Sequence, residues 1–316
     1  MRRLTCLLVL ALAAAGCSGA TEPAGPPVLR FAVIPKALDL PVFNYAKTGA
    51  ERKAKELGGI EVIWRGSETA DQLKQKEILE SFISQRVDGI AISCINGDFL
   101  APTIDRAIEA GIPVITWDAD APTSKRMAYY GVDDYAAGQR LAQAAVEALG
   151  GKGTVALLTS LGSYNLQRRL DGVNEVLKQH AGIRIVETFD VKEDIVRAQE
   201  IIATATNRYP NLSGWISVGG WPIMTRSALA PVDTTKTLVF SFDTIPPAPE
   251  LLKAGKVHTL VGQKYFGWGS EAVRLLSEIK AGRMPAQTVI DSGVDVVTSQ
   301  NVDAFLENWH KLESGS

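Results

Sequence analysis

Side chains that can bind hydroxyl groups recur beside aromatic rings, directly after short apolar runs of the sequence. The residues of this kind that we predict to bind a ligand are Phe43, Asn96, Trp117, Asp118, Asp120, Asn165, Arg169, Trp221, Asp243 and Gln263. Carboxylates and amides pair with neighbouring hydroxyls, and a guanidinium donates hydrogen bonds from a rigid fork. A few such groups between aromatic walls are typical of a site for a small polar molecule.

Most of these residues also have a structural interpretation. Asp118 and Asp243 could instead cap a helix or end their strand in a turn, and Asn165 could be a helix N-cap. Trp117 and Trp221 stand where strands give way to loops, which suits either the core or the site. The tryptophans that we expect in the core are Trp64, Trp215 and Trp309.

Catalytic chemistry has weak support in the sequence. The three histidines are far apart and lack metal-ligand spacing, so neither a metal nor another cofactor is predicted. The sequence contains no G-x-S-x-G elbow and no P-loop. Carboxylate pairs drawn from Asp118, Asp120 and Asp243 leave a carbohydrate-active enzyme as a remote alternative. We therefore predict a binding protein and not an enzyme.

Apolar runs that alternate with helical stretches must position these residues. The eleven runs that we predict to be strands are at 29–34, 60–64, 89–93, 113–117, 127–131, 154–159, 183–189, 214–218, 237–242, 257–262 and 288–290. Helical patterns lie between them, for example at 134–149 and at 69–85, where Thr69 and Gln72 form a capping box. Apolar strands separated by helices are typical of parallel sheets covered on both faces. An eight-fold barrel or two doubly wound lobes suit this rhythm, and eleven strands favour the lobes.

The first 27 residues predict where the protein works. Residues 1–16 combine a basic start, an apolar run and small residues, as a secretory signal peptide does. The small residues ahead of Cys17 resemble the bacterial lipobox, which implies cleavage before this cysteine and a lipid on its thiol. Residues 17–27 would then be the lipidated cysteine and a flexible tether. An ordinary secretory signal with an incidental Cys17 is the alternative.

Composition excludes other partners. A net charge of −2 gives no electrostatic footprint for nucleic acid, and no later segment is apolar enough to span a membrane. The lipid would therefore be the only membrane contact. Cys94 would be the one thiol left in the folded part, and its apolar surroundings predict a small buried residue.

Six segments, in this order and spacing, make the chain similar to a known family. They are Val-Asp-Gly-Ile-Ala-Ile-Ser at 87–93, Gly-Ile-Pro-Val-Ile-Thr-Trp-Asp at 111–118, Tyr-Gly-Val-Asp-Asp at 130–134, Asn-Leu-Gln-Arg-Arg-Leu-Asp-Gly at 165–172, Val-Phe-Ser-Phe-Asp at 239–243 and Val-Gly-Gln at 261–263. The chain resembles the type I periplasmic sugar-binding proteins of ABC importers, in particular the ribose-binding group. The resemblance extends from residue 29 to residue 297.

The resemblance implies an α/β fold of two doubly wound parallel-sheet lobes joined by a three-stranded hinge. The crossings would fall near 132–133, 263–264 and 291–293. The N-terminal lobe would contain residues 28–132 plus 264–292, and the C-terminal lobe residues 133–263 plus 293–316.

The resemblance also bears on the ligand. Ribose-type relatives carry the same residue types at the cleft positions that match Phe43, Asp118, Arg169, Asp243 and Gln263. This chain departs from them at Ala119, at Gly219-Gly220 and at Glu193, where they carry arginine, Asn-Asp and an aromatic residue. The sequence Trp-Asp-x-Asp at 117–120 is closer to rhamnose-type and autoinducer-binding relatives. A sugar other than ribose, a polyol or a furanosyl signal is therefore implied.

Together these features predict an extracytoplasmic solute-binding lipoprotein of an ABC transporter. It would act as a monomer, close its lobes around a monosaccharide-sized carbohydrate and deliver it to a membrane permease. A ligand sensor for a chemoreceptor or kinase is the alternative within the same fold.

Overall fold

The computed structural model describes residues 28–315, so the predicted signal peptide, Cys17 and the tether lie outside the described residues. In chain order the strands are β1 (Leu29–Ile34), β2 (Ile60–Trp64), β3 (Gly89–Ile92), β4 (Val114–Trp117), β5 (Ala128–Gly131), β6 (Gly153–Thr159), β7 (Ile183–Asp190), β8 (Gly214–Ser217), β9 (Leu238–Phe242), β10 (Thr259–Gly262), β11 (Val289–Asp291) and β12 (Asp295–Thr298). The helices are α1 (Val42–Leu57), α2 (Gln72–Ser84), α3 (Gly97–Glu109), α4 (Asp134–Ala148), α5 (Tyr164–Lys178), α6 (Ile195–Arg208), α7 (Ala248–Lys253), α8 (Tyr265–Lys280) and α9 (Val302–Ser314).

The strands form two six-stranded sheets with matching topology. The first has the order β11-β5-β4-β3-β1-β2, and its neighbouring strands are all parallel. The second has the order β12-β10-β9-β8-β6-β7 and is parallel except where β12 runs antiparallel to β10. Two open sheets exclude the single barrel and confirm the predicted pair of doubly wound α/β lobes. The sequence prediction misses β12, because Asp-Val-Val-Thr is too short and too polar to form an apolar run.

Helices cover both faces of the first sheet, which explains its near-continuous apolar strands. Phe31 and Val33 of β1 belong to the apolar cluster that contains residues of α1 and α8. Ala32 and Ile34 belong to the cluster that contains residues of α2 and α3. Successive strand residues point to opposite faces, so this alternation places one pair of helices on each side. We call this sheet with α1, α2, α3 and α8 the first lobe, and the other sheet with α4 to α7 the second lobe.

Glycines let helix pairs approach closely in both lobes. A Cβ atom at Gly138 of α4 would collide with the backbone of Arg169 on α5. A Cβ atom at Gly269 of α8 would collide with the backbone of Ala46 on α1. Only glycine allows such contact between helix backbones. The helix pairs α4–α5 and α1–α8, which begin beside the space between the lobes, are therefore held tightly together.

Three crossing segments connect the lobes: after β5, after β10 and between β11 and β12. The backbone N–H of Asp133 in the first crossing donates to the Asp291 carboxylate in the third, at 3.0 Å. Helix α9 contacts both lobes, because it packs near α7 while Trp309 meets the Tyr45 ring of α1 at 4.8 Å. The lobe boundaries at 28–132 plus 264–292 and 133–263 plus 293–316 stay a prediction.

Helix α2 begins later than its predicted capping box. Asp71 occupies the N-cap, and its carboxylate accepts hydrogen bonds from the backbone N–H groups of Leu73 and Lys74 at 2.9 and 3.1 Å. Gln72 is the first helical residue, so the predicted capping role of Thr69 is wrong. An aspartate directly before the first turn satisfies the free N–H groups from closer range.

Candidate functional site

The two lobes face each other at the C-terminal ends of their strands and together line a cavity of about 40 Å³. Seven of the ten predicted ligand-binding residues line this cavity: Phe43, Asp118, Asn165, Arg169, Trp221, Asp243 and Gln263. The lining also includes side chains absent from the prediction, namely Lys36, Leu40, Val42, Glu193, Met224 and Trp268. We call this cavity the cleft. The role of the seven residues in ligand binding stays a prediction.

The first lobe contributes an apolar wall built around Phe43. This ring lies in the first turn of α1 and is 4% exposed. It meets the Trp117 ring edge-on, with 5.6 Å between centroids, and lies 6.1 Å from the Trp268 ring. Leu40 and Val42, just before and within the start of α1, extend the wall. Flat apolar surface of this kind suits the C–H face of a ring-shaped ligand.

Asp118 is the carboxylate of the first lobe at the cleft. It follows β4 with φ at 58°, a left-handed conformation that turns the chain immediately after the strand. Ser93 Oγ donates a hydrogen bond of 2.7 Å to its Oδ2. Burial raises the pKa of Asp118, while the positive charge of Lys36 opposes that rise. The predicted alternative of a turn at the strand end therefore coexists with a place in the cleft.

Arg169 is the most connected group of the second lobe at the cleft. Its Nε donates to Asp134 Oδ1 at 2.8 Å, and its Nη2 donates to Gln263 Oε1 at 2.8 Å. Its Nη1 donates to the Val218 carbonyl at 3.2 Å, and the guanidinium lies 4.1 Å from the centre of the Phe242 ring. Burial raises the pKa of Asp134 to about 7, against the opposing charge of Arg169. These contacts fix one orientation of the guanidinium.

Asp243 is the second-lobe counterpart of Asp118. It follows β9 with φ at 74°, and its Oδ1 accepts hydrogen bonds of 3.0 Å from Gln263 Nε2 and Tyr265 Oη. Burial raises the pKa of Asp243, and Arg169 opposes this. A Cβ atom at residue 220 would lie 2.5 Å from Asp243 Oδ2, so the Gly219-Gly220 departure makes room for this carboxylate.

Asn165 reaches across the cleft to the first lobe. Its Oδ1 accepts a hydrogen bond of 3.0 Å from Lys36 Nζ, and Lys36 also donates to Glu193 Oε1 at 2.9 Å. Ser163, not Asn165, stands at the N-cap of α5, so the helix-cap alternative for Asn165 is wrong. Two signals pointed to the missed residues. Lys36 is the second residue after the end of β1, and Glu193 replaces a residue type expected from the resemblance.

Trp221 closes the second-lobe side of the cleft. It begins the short 3-10 helix Trp221–Ile223 and is 2% exposed. A Cβ atom at Gly219 would lie 2.5 Å from its ring, so this glycine lets the ring fold back over the end of β8. The sequence allowed either the core or the site for this tryptophan, and the structure shows it in the core cluster of the second lobe and in the lining of the cavity.

Three predicted residues lie away from the cleft. Trp117 is fully buried behind Phe43 and supports the apolar wall without reaching the cavity. Asp120 binds Arg126 through both carboxylate oxygens, one of them at 2.6 Å, and this pairing draws it out of the cleft. Asn96 caps α3 by accepting a hydrogen bond of 3.0 Å from the backbone N–H of Phe99. The structure therefore does not bring these three residues into the lining of the cleft.

The other groups that could take part in chemistry would be clusters of metal-binding side chains and the thiol of Cys94. Within residues 28–315, no cluster of three or more His, Cys, Asp and Glu side chains is arranged to hold a metal ion. Cys94 is buried as predicted, and burial raises the pKa of its thiol. A buried thiol of this kind has little nucleophilic character.

The fold and the cleft define a two-lobed binding protein with a site for a small polar ligand. Comparison with known families agrees, because residues 31–284 match the model of the periplasmic binding protein domain. The chain belongs to this family. The prediction of a type I periplasmic sugar-binding protein of ABC importers is thereby confirmed.

Three relatives illustrate the similarity. The chain is 33% identical to a solute-binding protein of an ABC transporter from Burkholderia graminis, solved with D-arabinose, with a TM-score of 0.81 over 87% of this chain and 96% of that one. It is 27% identical over 77% of its length to the xylose/arabinose-binding protein XylF of Sulfolobus acidocaldarius, of which the match spans 64%. It is 26% identical over 80% of its length to the D-allose-binding periplasmic protein of Escherichia coli, of which the match spans 86%.

Proposed function

We propose that the protein binds one monosaccharide or polyol molecule between its lobes, releases it chemically unchanged and delivers it to an ABC permease. One observation carries this proposal. An apolar wall from the first lobe and buried hydrogen-bonding groups from the second lobe meet in a single cavity. Either lobe alone would offer half of these contacts. A ligand therefore favours closure only through the contacts that it gains in the closed state.

The size of the cleft supports a hinge mechanism. A cavity of 40 Å³ is comparable to the space for about three water molecules, since one water needs about 10–15 Å³. A six-carbon sugar is several times larger. Entry of the ligand therefore requires the lobes to move apart at the three crossing segments, which is a hinge motion.

The ligand class follows from the chemistry of the lining. Arg169 and Lys36 are bound to carboxylates and amides of the protein itself, so the cleft has no unbalanced cation to offer an acidic ligand. The relatives described above bind xylose or arabinose, D-allose and D-arabinose, which are all uncharged monosaccharides. A micromolar dissociation constant corresponds to about −8 kcal/mol, which a few charge-assisted hydrogen bonds and ring contacts can supply.

A thermal-shift screen tests this proposal. The chain from Val28 onward is mixed with uncharged pentoses, hexoses and their polyols, and a ligand at 100 times its dissociation constant should add about 2.7 kcal/mol to stability. Recovery of the bound compound unchanged, checked by NMR, distinguishes a binder from an enzyme. Absence of a shift with every sugar and polyol, or conversion of the ligand, would contradict the proposal.

The location is a second part of the proposal. The family is extracytoplasmic, and within the described range no helix combines the length and apolar character needed to cross a membrane. We propose that the full chain is cut before Cys17 and anchored by a lipid on that thiol. Labelled fatty acid should enter the wild-type chain and Cys94→Ser, but not Cys17→Ser. Equal labelling of all three would show that Cys17 is not the anchor.

Transport and sensing differ in the partner that recognises the closed form. We propose transport, and deletion of the gene should abolish uptake of the radiolabelled ligand found in the screen. Normal uptake combined with loss of a ligand-induced transcriptional response would favour the sensor.

A further inference from the structure

A buried ion pair joins the two lobes across the cleft. Lys36 follows β1 in the first lobe, and Glu193 precedes α6 in the second lobe. Lys36 Nζ lies 2.9 Å from Glu193 Oε1, and the two side chains are 3% and 9% exposed. We call this pair the interlobe latch.

The latch differs from the other ion pairs of the described chain by its position. Within residues 28–315, one further ion pair joins segments from the two sides of the hinge, between Lys264 and Asp295 at 2.6 Å. That pair lies in the crossing segments and is about two-fifths exposed on both partners, at 40% and 39%. The latch instead lies in the wall of the cleft, where lobe opening separates its charges.

The second lobe holds Glu193 in a strained conformation. Lys192 and Glu193 are consecutive L-residues with φ at 55° and 57°, in the left-handed region that side chains disfavour. Asp190 Oδ1 accepts a hydrogen bond of 3.1 Å from the backbone N–H of Lys192, and Asp194 caps α6 two residues later. Backbone strain that is held by its surroundings is concentrated at functional positions. The strained backbone of this loop therefore holds the Glu193 carboxylate in the cleft.

Neighbouring groups complete the latch. Lys36 also donates to Asn165 Oδ1 at 3.0 Å, and Ser163 Oγ lies 3.0 Å from Glu193 Oε1. Lys36 has a third N–H, and both latch residues line the cavity beside Asp118. The charged lining comprises two cations, Lys36 and Arg169, and three carboxylates, Asp118, Glu193 and Asp243. With all five groups ionised, the lining carries one excess negative charge.

We propose that the latch determines which ligands allow the lobes to close, so that Lys36 and Glu193 are specificity-determining residues of the cleft. This inference rests on the proposed sugar-binding function. A buried charge is tolerated when it is paired and is strongly unfavourable when its partner is removed. An uncharged sugar leaves the pair intact. A sugar acid draws Lys36 away, leaves Glu193 buried without its cation and adds to the excess negative charge.

The same reasoning predicts a change of specificity. Glu193→Gln removes one carboxylate while keeping an acceptor for Lys36, so that the lysine can pair with an acidic ligand. Lys36→Met leaves Glu193 without its cation in the closed form and disfavours closure with any ligand. The double variant Lys36→Met/Glu193→Gln removes both charges and lets the lobes close again. The exposed pair Lys53–Glu56 on α1 supplies the matched control variants Lys53→Met and Glu56→Gln.

Calorimetry on the chain from Val28 onward tests this specificity with three pairs of probes: D-galactose and D-galacturonate, D-glucose and D-glucuronate, D-arabinose and D-arabinonate. We expect the wild type and both control variants to bind at least one uncharged member and to bind its acid at least about 100-fold more weakly, a difference of about 2.7 kcal/mol. Glu193→Gln should tighten binding of that acid at least about tenfold. Equal affinity of the wild type for both members, or unchanged acid affinity in Glu193→Gln, would overturn the proposal.

Small-angle scattering without ligand tests the latch independently of any sugar. We expect the radius of gyration to increase in Lys36→Met and in Glu193→Gln and to return to the wild-type value in the double variant. If no uncharged probe binds, the proposed function is not supported for these sugars. The scattering measurements still decide whether the ion pair controls closure of the lobes. Identical radii in all four proteins would show that it does not.

Discussion

The two lobes share one backbone plan, but their first helices present different chemistry to the cleft. In each, the strand order places a helix after the first strand and an aspartate in left-handed conformation after the fourth. At the first helix, the first lobe presents the apolar Phe43, whereas the second lobe presents Asn165 and Arg169. The two lobes therefore keep an aspartate at the end of the fourth strand and differ in the side chains of the first helix. A ligand with an apolar ring face and a hydroxylated edge satisfies both walls only when the lobes meet.

Removal of Arg169 should give the largest effect, because it disrupts the polar wall of the second lobe. Arg169→Met leaves Asp134 and Asp243 buried beside an uncharged side chain, so we expect stability to fall by about 3–5 kcal/mol and the ligand-dependent thermal shift to disappear. The adjacent Arg168, whose guanidinium lies over the Tyr135 ring, supplies the control Arg168→Met. Loss of the ligand-dependent thermal shift in both variants would contradict a specific role of Arg169.

The Asp134–Arg169 pair also predicts a dependence of stability on pH. Because burial raises the folded-state pKa of Asp134 to about 7, the native state binds more protons than the unfolded state between about pH 4 and 7. The free energy of unfolding should therefore fall as pH rises through that window, by up to about 1.4 kcal/mol per pH unit. Denaturant titrations at each pH should show this slope in the wild type and in Asp171→Asn, and a flatter one in Asp134→Asn.

The first lobe contains a sharper test, since Asp118 and Asp120 are two residues apart and have different partners. Asp118→Ala should weaken ligand binding at least about 100-fold, or about 2.7 kcal/mol, because a buried carboxylate leaves the cleft. Asp120→Ala should retain the affinity but lower stability, since Arg126 loses both of its bonds to the carboxylate. The reverse pattern, read by calorimetry and thermal melting, would place the ligand on the outer side of β4.

Substitution in the apolar wall should have the smallest effect on ligand affinity. Phe43→Leu keeps apolar bulk behind the ligand and removes the flat ring, so we expect a loss of affinity of about threefold to tenfold, or about 0.5–1.5 kcal/mol. Phe99→Leu on α3, away from the cavity, should leave the affinity unchanged. A loss as large as that of Asp118→Ala would mean that the two lobes contribute more equally than their chemistry indicates.

Local sequence was sufficient to predict the strands and helices and many of the residues that line the cleft. The apolar runs located every strand except β12, and residues directly after strand ends supplied the predicted carboxylates at the cleft. This works because the C-terminal ends of parallel strands share one edge of the sheet. Asp120 and Asn96 lie away from the cleft because nearby partners, Arg126 and the start of α3, bind their polar atoms.

The sequence by itself determined the alternation of strands and helices and the residue types at the strand ends. The alternation follows from the local periodicity of apolar residues. Only the tertiary structure decided that Lys36 meets Glu193 across 157 positions of sequence and that Arg169 is held by Asp134 and Gln263. Such contacts arise when two separately folded sheets approach, so no local pattern encodes them.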